Sequence, residues 1–395
     1  MSKIGYLSGP VDGRKVFQSW HSRVHTDLFG TSYLQHWFSE LERQGRPGIV
    51  VTSHGREVYN ESAGSFEIMN RPKPVSSGAQ YFFDMMRWTH GCLNEMVNAG
   101  ARTIVLTDAQ HFWFVTRPFR KKGIRFVNSL HCTLRALQHR PFSPHEMMIR
   151  LSSAMHFSHG DPTMAISTRI IEELAKEPGS SRRVCFRIIP DYSEELFEPA
   201  MLVEQVGRRD HFVVLFAGRI EANKGVFDLL EVAERLRMRG GRKFRFDICG
   251  VGAAMPDLER AVAASSVSDS FVLHGFVAGA DLAEKYAECD LAIVPTRSDF
   301  NEGFAKSVIE GVLAGRPVVT NLACPAIDVV GGACVEAEVD NPASYADAIW
   351  QLANDPELLR EKVDAARGLR GMFFDPPERY DRQLRKALAV AEGRA

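Results

Sequence analysis

The feature that most constrains this chain is an alternation, met twice, of short apolar runs with amphipathic stretches. In the first half the runs are "KIGYL" (3–7), "GIVVT" (48–52), "TIVLTDA" (103–109), "IRFVNSLH" (124–131), "MAIS" (164–167) and "RVCFRIIP" (183–190). In the second they are "FVVLFAG" (212–218), "FRFDICG" (244–250), "FVLHG" (271–275), "LAIVPT" (291–296) and "PVVTN" (317–321). Helical periods lie between them, such as Tyr33, Leu34, Trp37, Phe38 and Leu41 closed by Gly45. Strands that are apolar almost throughout are covered on both faces, so the pattern predicts two α/β units, each a parallel sheet sheathed by helices. Residues 8–29 read as a long polar loop, 191–210 as the linker, and 376–393 as a last helix whose basic residues form a solvated face. A length of 395 residues suits two domains of ordinary size.

In such sheets ligands bind beyond the carboxyl ends of the strands, which directs attention to the loops there. The loop after the run at 212–218 is "GRIEANKG", with Arg219 and Lys224 between Gly218 and Gly225. A guanidinium and an ammonium on a tight turn that opens a helix suit a diphosphate, although such turns also occur as plain solvated surface. The loop after 291–296 leads into "NEGFAKSVIEGVLAGRPVV", read as a helix over 303–314. If it were helical throughout, Glu302 and Glu310 would lie about 12 Å apart along the axis and turned about 80° from each other. That separation suits two ends of an elongated ligand better than an acid–base pair at one bond. Gly303 and Phe304 would present amides between the two acids. Glu302 alone also fits a helix N-terminal acid, whereas Glu310, among Val308, Ile309, Val312 and Leu313, is poorly explained as a surface residue.

Composition narrows the function classes. The net charge of −1 gives no support to nucleic-acid binding through bulk charge. Seven scattered cysteines contain no C-x-x-C pair, and no D-x-D follows the cleft strands, since Asp299 precedes Phe300 and Asn301. Free buried thiols, no leader-like start and no membrane-length apolar run give the expectation of a cytoplasmic protein, with peripheral contact at the inner face of a membrane left open.

Together "FAGRIEANKG", "LHGFV", "DLAIVPT", "NEGFAKSVIEGVLAGRPVV" and "CPAIDVVGGACVEAEVDNPASYADAI" resemble the GT-B-fold, retaining glycosyltransferases of family 4, with the E-x7-E signature at Glu302 and Glu310. The resemblance covers roughly 186–370. It implies two Rossmann-like domains facing across a cleft: 1–200 for the acceptor, 201–375 for a nucleotide-sugar, and 376–395 as a helix crossing back. Carried over by position, Arg219 and Lys224 bind the diphosphate, helped by Gly303, Phe304, Lys306 and the turn at Gly30. Glu302 and His131 attend the donor sugar, Glu310 the ribose, and Gly275, Phe276 and Val277 the base. The resemblance further implies catalysis by Glu302, His131, Arg219 and Lys224. No metal or cofactor is implied beyond the nucleoside-diphosphate sugar as co-substrate, and the acceptor is a hydroxyl of a glycan, lipid-linked or small molecule. Asp108 and His111 are weaker cleft candidates. The chain departs from the family at Gly30, one glycine where two are usual, at Ala305 for a glycine, at Lys306 for an apolar residue, and at Asp328 for a glutamate. These departures keep open a non-catalytic nucleotide-sugar-binding or scaffold protein of the same fold. An epimerase or a phosphorylase is a further alternative.

Overall fold

The structure, a computed structural model, describes residues 2–23, 32–107, 113–138, 144–198 and 210–394. Gly30, Asp108 and His111 lie outside them, as does most of the expected linker. Strands β1 (Lys3–Leu7), β2 (Gly48–Thr52), β3 (Tyr59–Ala63), β4 (Phe66–Asn70), β5 (Ala101–Thr107), β6 (Arg125–Leu130), β7 (Thr163–Ala165) and β8 (Cys185–Arg187) form one sheet. Its order is β3-β4-β2-β1-β5-β6-β7-β8, parallel except where β3 turns back on β4. Strands β9 (His211–Ala217), β10 (Lys243–Cys249), β11 (Phe271–Gly275), β12 (Leu291–Val294), β13 (Val318–Thr320) and β14 (Cys334–Glu336) form a second sheet, wholly parallel, in the order β11-β10-β9-β12-β13-β14.

The chain reverses its winding between β1 and β5 in the first sheet and between β9 and β12 in the second. A crevice opens at such switch points because the connecting helices leave to opposite faces. The central strands are buried along almost their whole length, as their unbroken apolar sequences require. β3, "YNESA", is polar and largely exposed, which suits an edge strand with pairing on one side only.

The stretch expected as one loop over 8–29 contains a helix, Gly13–Ser22. Asp12 caps it by accepting from the amides of Arg14 and Lys15. Val16 is buried, and Phe17 and Trp20 pack beside it on the core. Three apolar residues among basic and polar ones make too short a stripe to stand out in a sequence. The hairpin β3–β4, the helix Pro144–Phe157 and β14 add to the elements that the alternation predicts. Among the described residues no helix is long and apolar enough to cross a membrane.

The last helix, Tyr380–Ala391, packs against the helix Tyr33–Arg43, and Arg385 and Lys386 lie on its exposed face as expected, although Arg385 also reaches a buried acid. Arg385 donates twice to Glu40, whose carboxylate is wholly buried and also held by Arg43. Arg46 forks onto Glu392 beside it. Burial alone would raise the Glu40 carboxyl, but the hydrogen bonds from Arg43, Arg385 and Gln44 outweigh it and hold the group below its ordinary value of 4.5. A carboxyl held low in the folded state stabilises the fold above its unfolded pKa and loses that contribution as pH falls through the folded value. Arg385 is 45% exposed and Glu40 keeps Arg43 and Gln44, so Arg385→Ala is expected to cost about 1 kcal/mol at neutral pH. Glu40→Gln should flatten the acid limb of the stability curve. Urea unfolding between pH 3 and 7 measures both.

Candidate active site

Two loops of the second sheet are stitched together at its switch point. Gly225 has φ +73, and a Cβ there would meet the Pro295 carbonyl oxygen at 2.0 Å. Only glycine lets the loop after β9 lie on the loop after β12. The Arg297 amide then donates to the Asn223 carbonyl at 3.0 Å. This registry brings Lys224 Nζ to 2.6 Å from Glu302 Oε2, with the ammonium 3.8 Å from the centre of the Phe300 ring. Glu302 Oε1 accepts the Ala305 amide at 3.1 Å, so both carboxylate oxygens are engaged. Arg219 shares the loop but is mostly exposed and paired with Glu221 at 2.6 Å.

The helix expected over 303–314 begins only at Lys306. Ala305 stands at φ 64, ψ 78, so the backbone is broken between the two acids and the separation drawn from an unbroken helix does not apply. A left-handed alanine costs about 1–2 kcal/mol. Ala305→Gly should raise stability by about 1 kcal/mol, part of the relief being offset by the freer unfolded chain; the shift in urea midpoint tests it.

Gly303 and Phe304 thus precede the helix. Phe304 buries its ring and accepts the Ala326 amide with its carbonyl. Gly303 lies directly against the first sheet, where a Cβ would fall 1.6 Å from the carbonyl oxygen of His131. His131 follows β6, its Nε2 2.9 Å from Ser129 Oγ, which is 3.1 Å from the hydroxyl of Tyr380 on the last helix. Its ring stacks on Tyr33 at 4.2 Å between centroids. Burial, reinforced by the nearby Lys306 charge, lowers its pKa to about 3, so the imidazole is neutral at physiological pH.

Lys306 reaches across from the second half, its ammonium 5.2 Å from the centre of the Tyr33 ring. Desolvation lowers its pKa, opposed by Glu310 one turn on. Glu310 accepts from the Tyr286 hydroxyl at 3.1 Å, and burial raises its carboxyl against that bond and the Lys306 charge. The acid that a surface role explained poorly has a buried partner.

The structure therefore links Lys224 and Glu302 through Gly303 to His131, and Lys306 and Glu310 through Tyr33 to the same histidine. It leaves Gly275, Phe276 and Val277 at the end of β11, beyond β10, where Phe276 is exposed and lines a separate depression with Lys285. Asp328 faces Arg169 of the first half at 3.8 Å. Sequence reasoning missed Phe300 beneath Lys224, Tyr33, Tyr286, and the Ser129–Tyr380 pair behind His131. Phe300 had a signal, since it lies within a loop already singled out. Tyr380 had none, being 251 residues from Ser129. A cavity of about 560 Å³ opens between the loops after β1 and β6, the end of β5 at Thr107, the helix start at Ser32–Leu34 and the Phe300–Asn301 turn.

Residues 211–355 match the family model of glycosyl transferases group 1. The alpha-D-kanosaminyltransferase of Streptomyces kanamyceticus is 30% identical over 169 residues, 42% of this chain and 43% of that protein, so the match spans less than half of that relative's length. A D-inositol 3-phosphate glycosyltransferase of Xylanimonas cellulosilytica is 29% identical over 367 residues, 86% of this chain and 83% of that one. Sucrose-phosphate synthase from Thermosynechococcus elongatus shares the fold across 100% of both chains, with a TM-score of 0.74 at 15% identity. The fold is therefore of the GT-B type, two Rossmann-like parallel sheets, and the second of them, over residues 211–355, is similar to the group 1 glycosyl transferases.

Proposed function

We propose that the protein is a retaining, metal-independent glycosyltransferase that moves a sugar from a nucleoside-diphosphate sugar to a hydroxyl acceptor. The observation that carries this reading is the pairing of Lys224 with Glu302 at the switch point of the second sheet, against Phe300. In it residues 1–200 take the acceptor, 201–375 take the donor, and 376–395 clasp the first half. Lys224, Arg219, Lys306 and the amides of Gly303 and Phe304 meet the diphosphate, and Arg219 swings from Glu221 to do so. Glu302 and the neutral His131 hold hydroxyls of the transferred sugar, Glu310 holds the ribose, and the Gly275–Val277 segment flanks the base.

The acceptor oxygen attacks the anomeric carbon on the face from which the diphosphate departs. The carbon–oxygen bond to the diphosphate breaks as the new one forms, and the acceptor proton passes to the departing phosphate oxygen. Fixed cations and amides stabilise the charge that develops there. Seven free cysteines suit a reducing, cytoplasmic setting.

A panel of UDP-, GDP- and ADP-sugars should contain one that raises the melting temperature of the wild type and not of an Arg219→Ala/Lys224→Ala variant. Transfer should survive EDTA, and NMR of the product should show the donor's anomeric configuration kept. Inversion at the anomeric carbon, or donor binding and turnover both intact in the double variant, would sink the mechanism. Binding without turnover under any acceptor would favour the scaffold alternative.

A further inference from the structure

The loop after β6 carries much of the first half's face of the cleft. The carbonyl oxygen of His131 abuts Gly303, and His131, Cys132, Thr133 and Leu134 line the cavity of about 560 Å³. Further along, the Gln138 amide donates across the cleft to the Ser298 carbonyl at 2.9 Å, and the Ser298 hydroxyl lies 3.0 Å from Gln138 Oε1. Residues 131–138 form neither helix nor strand, so no regular ladder holds this backbone in place.

Three acids behind the loop do so instead. The Leu134 amide donates to Glu173 Oε2 at 2.7 Å, on the helix Thr168–Ala175. Arg135 lies between two more carboxylates. Its Nε donates to Glu146 Oε1 at 2.7 Å and a terminal nitrogen donates to Glu177 Oε1 at 3.1 Å. Glu146 belongs to the helix Pro144–Phe157, and Glu177 follows the helix that carries Glu173. The Glu146 and Glu177 side chains are 5% and 8% exposed, against 20% for Arg135. An ammonium is a compact point charge, whereas a guanidinium presents a planar fork that reaches both acids at once. One loop residue therefore ties two helices to the backbone that holds His131.

Arg135 does not itself line the cavity, so its effect on the cleft passes through the loop backbone. The opposite side has anchors of its own. The Ser298 amide donates to Asp340 Oδ1 at 3.2 Å, and Arg297 Nη1 lies 2.8 Å from both oxygens of Asp228. Releasing the loop after β6 would move the first half's face and leave the Lys224 side where it is.

We infer that Arg135 is a positioning residue for transfer: clamped between Glu146 and Glu177, it sets the loop after β6 so that His131 meets Gly303. The inference rests on the transferase reading for the reaction it serves.

The test compares the full chain with Arg135→Met, which keeps the length of the side chain and loses the fork. Hydrogen exchange at the amides of Leu134 and Gln138 should quicken about tenfold or more, as their anchored backbone is released. Turnover is read as release of nucleoside diphosphate from UDP-, GDP- or ADP-glucose, with water and glycerol as acceptors. Its kcat should fall about tenfold or more, while calorimetry finds the affinity for UDP, GDP or ADP close to that of the wild type. Arg135→Met/Glu146→Gln/Glu177→Gln removes the buried charges left without their partner, so it should recover most of the lost melting temperature and none of the rate. Unchanged exchange or unchanged turnover in Arg135→Met overturns the inference, and so does a nucleotide affinity that falls as far as kcat. A rate that recovers together with stability in the triple variant also overturns it, because Arg135 would then serve only to neutralise two acids. A wild type that binds none of the three nucleotides and releases none from the donors defeats the transferase reading, and the inference with it.

Discussion

A Gly303→Ala enzyme is expected to fold normally and lose about 100-fold or more in kcat/KM, because a misplacement of about 1 Å at a reacting centre costs that much. The reason is one added methyl group. Ideal geometry puts it 1.6 Å from the His131 carbonyl oxygen and 2.4 Å from its carbon, with Cys132 Cα at 3.0 Å. All three are backbone atoms, so no rotamer change relieves the clash. The His131 side is held by the Tyr33 stack and the Ser129 bond, and the Gly303 side by Glu302, tied to Lys224 and to the Ala305 amide. What gives is the gap between the two halves. No apolar side chain is removed, so the melting temperature should move by only a few degrees, the scale of about 1 kcal/mol in a chain of this size. Donor affinity should fall less than kcat, since Lys224, Arg219, Lys306 and Glu310 keep their places on the second half. Steady-state kinetics with calorimetry decide it, and wild-type turnover would show that the Gly303–His131 contact plays no part in the reaction.

The same contact marks the boundary of what the sequence discloses. The alternation of strands and helices was legible because a strand buried on both faces has to be apolar, and the two sheets follow from it. The Lys224 and Glu302 loops were legible because glycines and charges at strand ends are rare in the core and concentrated at ligand sites. The helix Gly13–Ser22 was not, because its apolar face is only Val16, Phe17 and Trp20 and its other residues are charged or polar. The break at Ala305 was not, because a left-handed alanine is imposed by the surrounding fold against its local preference. The ion pair of the exposed Arg385 was not, because its partner, Glu40, is 345 residues away. Partners distant in the chain leave no local periodicity, so the clasp of the last helix and the Tyr380–Ser129–His131 relay emerge only in three dimensions.

Lys224→Met should show the second large effect, and pairing it with Glu302→Gln separates catalysis from stability. With side chains only 17% and 13% exposed, the two charges depend on each other. Removing the ammonium alone leaves Glu302 with the Ala305 amide as its remaining hydrogen bond, at a cost of about 1.5–3 kcal/mol. Neutralising both ends removes the uncompensated charge, and the Lys224→Met/Glu302→Gln protein should regain most of the lost stability, as buried ion pairs replaced together generally do. Activity should not follow. A donor placed as proposed needs the Lys224 charge where its diphosphate becomes an anion, and loss of such a group costs about 100- to 1,000-fold in kcat. Urea unfolding and kcat, measured on both single variants and the double, form a cycle. Recovery of stability without recovery of rate identifies Lys224 as a cation held ready by Glu302 for the leaving group. Recovery of both would reduce the pair to a strut between two loops, and the charge for the diphosphate would then have to come from Arg219 and Lys306.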